Sequence, residues 1–280
     1  MNKIDFIGIG AQKSGTSWAY ACLYEHPEIC APIKEIHFFS RPRYEKGREW
    51  YESHFKKCKS GIRVGEFSTS YLYSKDAPER IKKMYPNVKL IAILRNPVER
   101  AYSQYRNAIK AGDITEKVSF ETYCSNEESV KNQGLYSEQL LRYLEIFSRE
   151  QICILIYEDI KKDPIAFMKC IYQFLEVDDT FVSSMVNSEI NVARTPKLVG
   201  PERVMHHIAE FLRSHGFDRF VHMIRKTGIT ECIRALNTSG GTKRYESLPF
   251  DVVAYKRLFI DDVTHLSSLL DRDMRTEWNI

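Results

Sequence analysis

Phe6 to Trp18 reads FIGIGAQKSGTSW, and the rest of the chain is organised around it. Ile4, Phe6, Ile7 and Ile9 form an apolar run of buried-strand character that reaches Gly10. A tight polar turn follows from Gln12 to Gly15, with hydroxyls at Ser14, Thr16 and Ser17, before a helical pattern from Trp18 to Glu25. Strand, glycine-containing turn and helix start together make an anion site, because backbone N–H groups and the positive end of the helix dipole face one point. Lys13 adds a full positive charge there. The stretch reads as a phosphate cradle, with a strand–turn–helix corner bearing a surface lysine as the plainer alternative.

Residue order decides the kind of cradle. A nucleoside-triphosphate loop reads GxxxxGK[ST], with lysine after the second glycine, whereas Lys13 comes two residues before Gly15. A dinucleotide fingerprint needs G-x-G-x-x-G, and Gly8, Gly10 and Gly15 supply only the first pair in register.

The same grammar recurs. VKLIAIL (88–94) is a continuous apolar run typical of a strand buried on both faces; Arg95-Asn96-Pro97 turns, and a helix runs from Val98 through Lys110. Two strands feeding helices through tight turns imply βαβ units in a parallel sheet, with ligands at the carboxyl ends of the strands. Arg95 lies at such an end and Ser103 about two turns down the next helix, so an arginine fork and a hydroxyl can close on one phosphate. An ordinary ion pair between Arg95 and Glu99 is the alternative.

Further helices are expected at 76–85, after Ser137 as N-cap, at 163–175 behind Asp163-Pro164, at 179–187 and at 249–271, with strands ending at Glu66 and spanning 152–157. Glu158-Asp159, at a strand end, reads as a structural or metal-binding pair. The basic helical stretch 201–236 reads as a helical layer or a membrane-surface face.

Between these units lies KEIHFF (34–39). Glu35 beside aromatics is either a partly desolvated carboxylate suited to take a proton, or a surface partner of Lys34 while Phe38 and Phe39 fill the core.

Taken together, these motifs resemble the sulfotransferases that use 3′-phosphoadenosine-5′-phosphosulfate (PAPS), nearest the glycan, heparan sulfate-type and bacterial carbohydrate or small-molecule enzymes. QKSGTSW is similar to their phosphosulfate loop, KEIHFF to their KE-x-HFF motif, and LRNPVERAYS (94–103) to their R-x-P-x-x-R-x-x-S motif. The resemblance implies that Lys13, Ser14, Gly15, Thr16, Ser17 and Trp18 hold the 5′-phosphosulfate, and that Arg95 and Ser103 hold the 3′-phosphate. It makes Glu35 the general base, with His37 in support and Lys13 neutralising the leaving phosphate. GEFSTSY (65–71) is similar to an acceptor-side segment, which with Lys34 gives Lys34, Glu66 and Tyr71 as substrate-binding residues. NTSGGTKRY (237–245) is loosely similar to a nucleotide-covering loop, implying Thr242, Lys243, Arg244 and Tyr245 as further cofactor contacts. The heparan sulfate 3-O-sulfotransferases follow KE-x-HFF with an aspartate, where this chain has Ser40.

The expected fold is α/β: one P-loop-like three-layer domain over 1–280, with a four- or five-stranded, mostly parallel sheet flanked by helices and a helical insertion or cap at about 198–236. The expected reaction moves the sulfuryl group of PAPS to a hydroxyl, less readily an amine, of a glycan, lipid or small-molecule acceptor, without a metal. A P-loop nucleotide-dependent kinase and a noncatalytic nucleotide-binding scaffold are the alternatives.

Composition agrees with a local rather than a global positive site. The formal charge is +4, from 41 basic and 37 acidic side chains in 280 residues, too balanced for nonspecific nucleic-acid coating. Seven cysteines without CxxC spacing imply buried reduced thiols, hence a cytoplasmic protein rather than a disulfide frame or zinc site. No window approaches the ~20 apolar residues of a membrane span, although a catalytic fragment of a Golgi-anchored enzyme would read the same, and peripheral membrane contact stays open. Oligomeric state is not legible.

Overall fold

The computed structural model describes residues 4–188 and 252–280. The proposed helical insertion at 198–236 and the candidate cofactor residues Thr242, Lys243, Arg244 and Tyr245 lie outside the described residues. Five parallel strands form one sheet in the order β2-β3-β1-β4-β5: β1 (Phe6–Gly10), β2 (Ile29–Cys30), β3 (Arg63–Phe67), β4 (Lys89–Leu94) and β5 (Ile152–Ile156). The helices are α1 (Thr16–Glu25), α2 (Gly47–Glu52), α3 (Ala77–Met84), α4 (Pro97–Ala111), α5 (Phe120–Asn126), α6 (Glu128–Asn132), α7 (Tyr136–Leu144), α8 (Tyr157–Lys162), α9 (Pro164–Leu175), α10 (Val252–Arg257), α11 (Ile260–Leu270) and α12 (Met274–Trp278).

The continuous apolar runs are central strands, as a sheet covered on both faces requires. Phe6, Ile7 and Ile9 of β1 and Leu90 to Leu94 of β4 are all buried. One face is closed by α1 and α9, where Trp18 and Leu23 pack with Phe167, Ile171 and Leu175. Asp163 starts α9 as the sequence implies, its carboxylate accepting the N–H groups of Ile165 and Ala166 ahead of a proline in the first turn.

The chain divides into two compact units. The first comprises 1–100, 131–190 and 253–280, and holds the whole sheet; the second comprises 101–130 and 191–252. Within the described part of the second, Phe120 packs edge-on against Tyr102 and Tyr105, and the Tyr105 hydroxyl donates to the Val118 carbonyl at 2.6 Å.

Several local expectations are corrected. Cys30 and Cys58 form a disulfide, so the reading of uniformly reduced thiols does not hold. The two cysteines are 28 residues apart, Cys30 at the end of β2 and Cys58 in the segment that leads into its parallel neighbour β3. Ser137 is not an N-cap: α7 begins one residue earlier, and Ser137 donates from inside the helix to the buried Asp262 of α11. Asp262 also accepts the Tyr136 and Ser137 N–H groups at 2.8 and 3.0 Å, so it caps α7 from a distant part of the chain. Residues 179–187 form turns instead of a helix, and the expected 249–271 helix is broken at 258–259.

Candidate functional site

The connections leaving β1 and β4 run in opposite directions: from β1 the chain crosses to the edge strand β2 and returns to β3 beside β1, whereas from β4 it continues outward to β5 on the other side. Open parallel sheets bind ligands at the carboxyl ends of strands beside such a reversal. The residues following β1 and β4 meet there. Arg95, just past β4, donates from Nη1 to the Lys13 carbonyl at 3.3 Å.

The loop after β1 depends on glycine at two positions. Gly15 has φ 79°, and a Cβ there would meet the Tyr157 ring at 2.8 Å. Gly10 lets the Thr69 carbonyl approach to 3.1 Å of where a Cβ would stand. Lys13 also takes a left-handed conformation, φ 69°. Helix α1 then starts at Thr16 without a side-chain cap, so its first-turn N–H groups are not satisfied by a capping hydroxyl or carboxylate. Ser14 Oγ is wholly buried and makes no hydrogen bond. An uncapped helix start, a buried hydroxyl without a partner and a lysine are what an anionic oxygen requires.

The Arg95 guanidinium lies over the Tyr157 ring, 4.6 Å from its centroid, and Nη2 pairs with Glu99 at 2.8 Å. The ordinary ion pair weighed from sequence is therefore present, and Arg95 also retains a buried Nε without a partner. Ser103 lies half-buried on the second turn of α4, and Arg100 of the same motif is wholly buried.

Glu35 is held from three sides. Lys34 Nζ donates to Oε1 at 2.6 Å, His37 Nε2 lies 3.1 Å from Oε2, and the Thr69 N–H and hydroxyl both reach the carboxylate at 3.1–3.2 Å. Burial pushes this carboxyl upward, but the Lys34 ammonium, the adjacent His37 ring and the hydrogen bonds from Lys34 and the Thr69 N–H more than offset it, and the net shift is below the ordinary glutamate value. Glu35 is thus ionised at neutral pH while keeping about a third of its side chain exposed, 32%. His37 is shifted down to about 4, first by burial and then by Arg41, Arg43 and Lys34, against the opposing pull of Glu35. Its imidazole is neutral at pH 7.

Glu35 and His37 are both left-handed, with φ 62° and 54°, a conformation costly for residues with a Cβ. Backbone anchors hold them there: Glu35 N–H donates to the Phe67 carbonyl at 2.7 Å, His37 N–H to Ser68 Oγ at 2.9 Å, and Phe38 N–H to the Tyr71 hydroxyl at 2.9 Å. The loop that carries Glu35 is therefore built onto the end of β3 and the segment that follows it.

Three residues expected to face ligand do not. Glu66 and Tyr71, assigned to the acceptor, are wholly buried. The aromatic layer of Phe38, Phe39 and Tyr51 covers Tyr71, and Glu66 accepts from Ser68 Oγ at 2.8 Å and Tyr51 Oη at 3.4 Å. They shape the loop that carries Glu35. Trp18, assigned to the phosphosulfate, packs edge-on to Phe167 and donates to the Met185 and Val186 carbonyls at 3.2 and 3.3 Å. Its side chain belongs to the core beneath α1.

Sequence reasoning passed over Thr69, Ser70, Tyr157 and Trp278. Thr69 and Ser70 carried a readable signal, a hydroxyl run directly after a strand end. Trp278 carried none, because its partner Glu158 is distant in the chain. Glu158 and Asp159 serve structural bonds: Glu158 accepts from Asn96 and Trp278, and Asp159 from Arg272 and Lys162. Among the described residues no group of three or more His, Cys, Asp or Glu is placed to hold a metal ion, and no helix is long and apolar enough to cross a membrane.

A parallel sheet with a phosphate-type loop at its winding reversal, and an ionised carboxylate on a neighbouring loop, is an arrangement that suits a nucleotide-using transferase. Residues 3–226 match the family model described as a sulfotransferase domain, and the chain belongs to that family. It is 30% identical over 192 residues to the bifunctional heparan sulfate N-deacetylase/N-sulfotransferase 2 of Homo sapiens, a match covering 61% of this chain and 22% of that protein. It is 32% identical over 177 residues to the heparan sulfate glucosamine 3-O-sulfotransferase 3B1 of Mus musculus, covering 60% of this chain and 44% of that protein. The chain thus matches less than half the length of either relative. The crystal structure of a sulfotransferase from Alicyclobacillus acidocaldarius superposes over 100% of both chains with a TM-score of 0.74 at 24% identity, which establishes the shared fold.

Proposed function

We propose that this protein transfers the sulfuryl group of PAPS to a nucleophile on a glycan acceptor, with Glu35 as general base, within one sulfotransferase domain over 1–280. The observation that carries the reading is the meeting, at the β1/β4 reversal, of the uncapped α1 start and the Lys13 loop with Arg95, while Thr69, which hydrogen-bonds Glu35, passes close to Gly10 at the end of β1. The family match across 3–226 supports the domain assignment. The names of the two relatives, both acting on heparan sulfate, favour a saccharide acceptor over a lipid.

In this reading Lys13, Ser14 and the N–H groups of Gly15, Thr16 and Ser17 bind the 5′-phosphate. Arg95, with Ser103 assigned from the sequence motif, binds the 3′-phosphate. Glu35 takes the proton of the acceptor as its oxygen or nitrogen bonds to sulfur and the S–O bond to the 5′-phosphate breaks; Lys13 neutralises the charge left on that phosphate. Such transfer is mostly positioning and charge stabilisation. The ionised, partly exposed state of Glu35 suits proton removal at neutral pH.

Titration calorimetry with adenosine 3′,5′-bisphosphate and 5′-AMP tests the reading. The bisphosphate is expected to bind at least tenfold more tightly, about 1.4 kcal/mol. Equal affinities would remove the 3′-phosphate site and with it the PAPS assignment.

A further inference from the structure

Ser70 and Ser40 stand in line behind the Glu35–His37 pair. Ser70 Oγ lies 2.7 Å from His37 Nδ1, and Ser40 Oγ lies 2.6 Å from Ser70 Oγ. On the far side of the ring, Nε2 lies 3.1 Å from Glu35 Oε2. Four side chains from two segments of the chain thus form one file.

The hydrogen positions along this file follow from valence. An ionised carboxylate only accepts, so Nε2 must carry the proton that faces Glu35. A neutral imidazole has one N–H, so Nδ1 presents a lone pair and Ser70 must donate to it. Ser70 has then used its hydrogen, and only Ser40 can supply the one between the two serines. Every donor in the order Ser40, Ser70, His37 has one acceptor, and the file ends on the Glu35 oxygen. The opposite order would set the Nε2 lone pair against a negative oxygen.

We infer that Ser70 and Ser40 are positioning residues which donate along the file to Nδ1 of the Nε2–H tautomer, fix the His37 ring and thereby hold the Glu35 carboxylate in orientation. The inference rests on the reading of Glu35 as base only for its catalytic consequence; the tautomer itself is independent of turnover. It also gives Ser40 a task. A carboxylate at this position, as in the 3-O-sulfotransferase motif, could accept but not donate, so Ser40 orders the file by a different hydrogen-bond sense.

The test is ¹⁵N NMR of the full chain labelled at histidine, with the His37 signals identified by their loss in His37→Gln. The parent protein is expected to show protonated Nε2 and unprotonated Nδ1 at pH 7. Ser70→Ala is expected to move the Nδ1 signal downfield, toward that of a ring nitrogen whose lone pair has lost its donor, Ser70→Thr to restore the parent position, and Ser40→Ala to shift it partially. The groups facing the ring are Glu35, Lys34, Arg41 and Arg43, and all remain in these variants. Sulfuryl transfer by Ser70→Ala is expected to fall about tenfold in kcat with unchanged affinity for adenosine 3′,5′-bisphosphate. A parent Nδ1–H tautomer, or an Nδ1 signal unmoved in both Ser70→Ala and Ser40→Ala, overturns the inference. Should Ser70→Ala fail to fold, Ser40→Ala and the parent spectrum still decide it. If instead Glu35→Gln keeps full turnover while the tautomer pattern holds, the base assignment fails and the file stands.

Discussion

The indole N–H of Trp278 donates to Glu158 Oε2 at 3.0 Å, and the same carboxylate accepts the Asn96 N–H through Oε1 at 3.2 Å. Asn96 in turn donates from its side chain to the Trp278 carbonyl at 3.0 Å. The last helix is thereby tied to the turn that carries Arg95, whose own carbonyl accepts from the Tyr136 hydroxyl at 2.9 Å. Glu158→Ala leaves the part-buried donors of Asn96 and Trp278 unsatisfied and is expected to cost about 1 kcal/mol of unfolding free energy. Affinity for adenosine 3′,5′-bisphosphate should fall with little change for 5′-AMP, because the turn bearing Arg95 loosens while the Lys13 loop stays. Denaturant melts and calorimetry check this; unchanged values in both would show that the tie does not restrain the turn.

Glu35→Gln keeps the shape of the side chain and its ability to accept from Thr69, but not its ability to take a proton. Transfer from labelled PAPS is expected to drop by roughly 10²–10⁴, the usual contribution of a general base. Binding of adenosine 3′,5′-bisphosphate should be unaltered. Full turnover in the variant would reassign the base, and loss of nucleotide binding would make Glu35 part of the donor site.

The legible parts of this molecule were those encoded locally. Buried runs such as Phe6–Ile9 and Val88–Leu94 announce central strands by their unbroken apolar character, and Asp163-Pro164 announces a helix start by its capping chemistry. The two strand–turn–helix corners, after β1 and after β4, could be read because strand, turn and helix start are contiguous. The remainder depends on pairings between distant segments. Cys30 at the end of β2 meets Cys58 across 28 residues, Asp262 caps α7 from 125 residues or more away, and Trp278 finds Glu158 across 120 residues. Glu66 and Tyr71 misled for a related reason. Polar residues after a strand end resemble an exposed site in sequence, but the aromatic layer of Phe38, Phe39 and Tyr51 closes over them.

The Cys30–Cys58 disulfide encloses the segment that carries Lys34, Glu35 and His37, across a separation of 28 residues. A loop of that length restricts the unfolded chain by about 3–4 kcal/mol in the chain-entropy account. Cys58→Ser, or reduction of the parent protein, is expected to lower unfolding free energy by up to that amount. Turnover should suffer more than nucleotide binding, since the enclosed segment holds Glu35, the proposed base, and not the Lys13 loop. Denaturant melts with and without reductant measure the first, and calorimetry on the reduced protein the second. Equal stability in both redox states would mean that the cross-link does not restrain the folded chain's competitors.

Glu66 sets a pH dependence of opposite sign to that of Glu35. Complete burial pushes its carboxyl up to about 8 from an ordinary 4.5, despite the lowering effect of the Ser68 and Tyr71 hydroxyls. Below the unfolded value both states hold the proton and the burial carries no penalty. As pH rises, the unfolded chain releases its proton first, so stability falls until the folded value is passed and then levels off. While only one state titrates, the slope is about 1.4 kcal/mol per pH unit. Glu66→Gln carries no such proton and is expected to flatten this decline between pH 5 and 9, becoming more stable than the parent at pH 9. Glu35 acts in the other direction: its carboxyl is held below the ordinary value, so its contribution is present at neutral pH and is lost as pH falls through the folded value. Denaturant melts of the parent and Glu66→Gln across that range separate the two, and parallel curves would show that Glu66 is ionised in the folded protein at neutral pH.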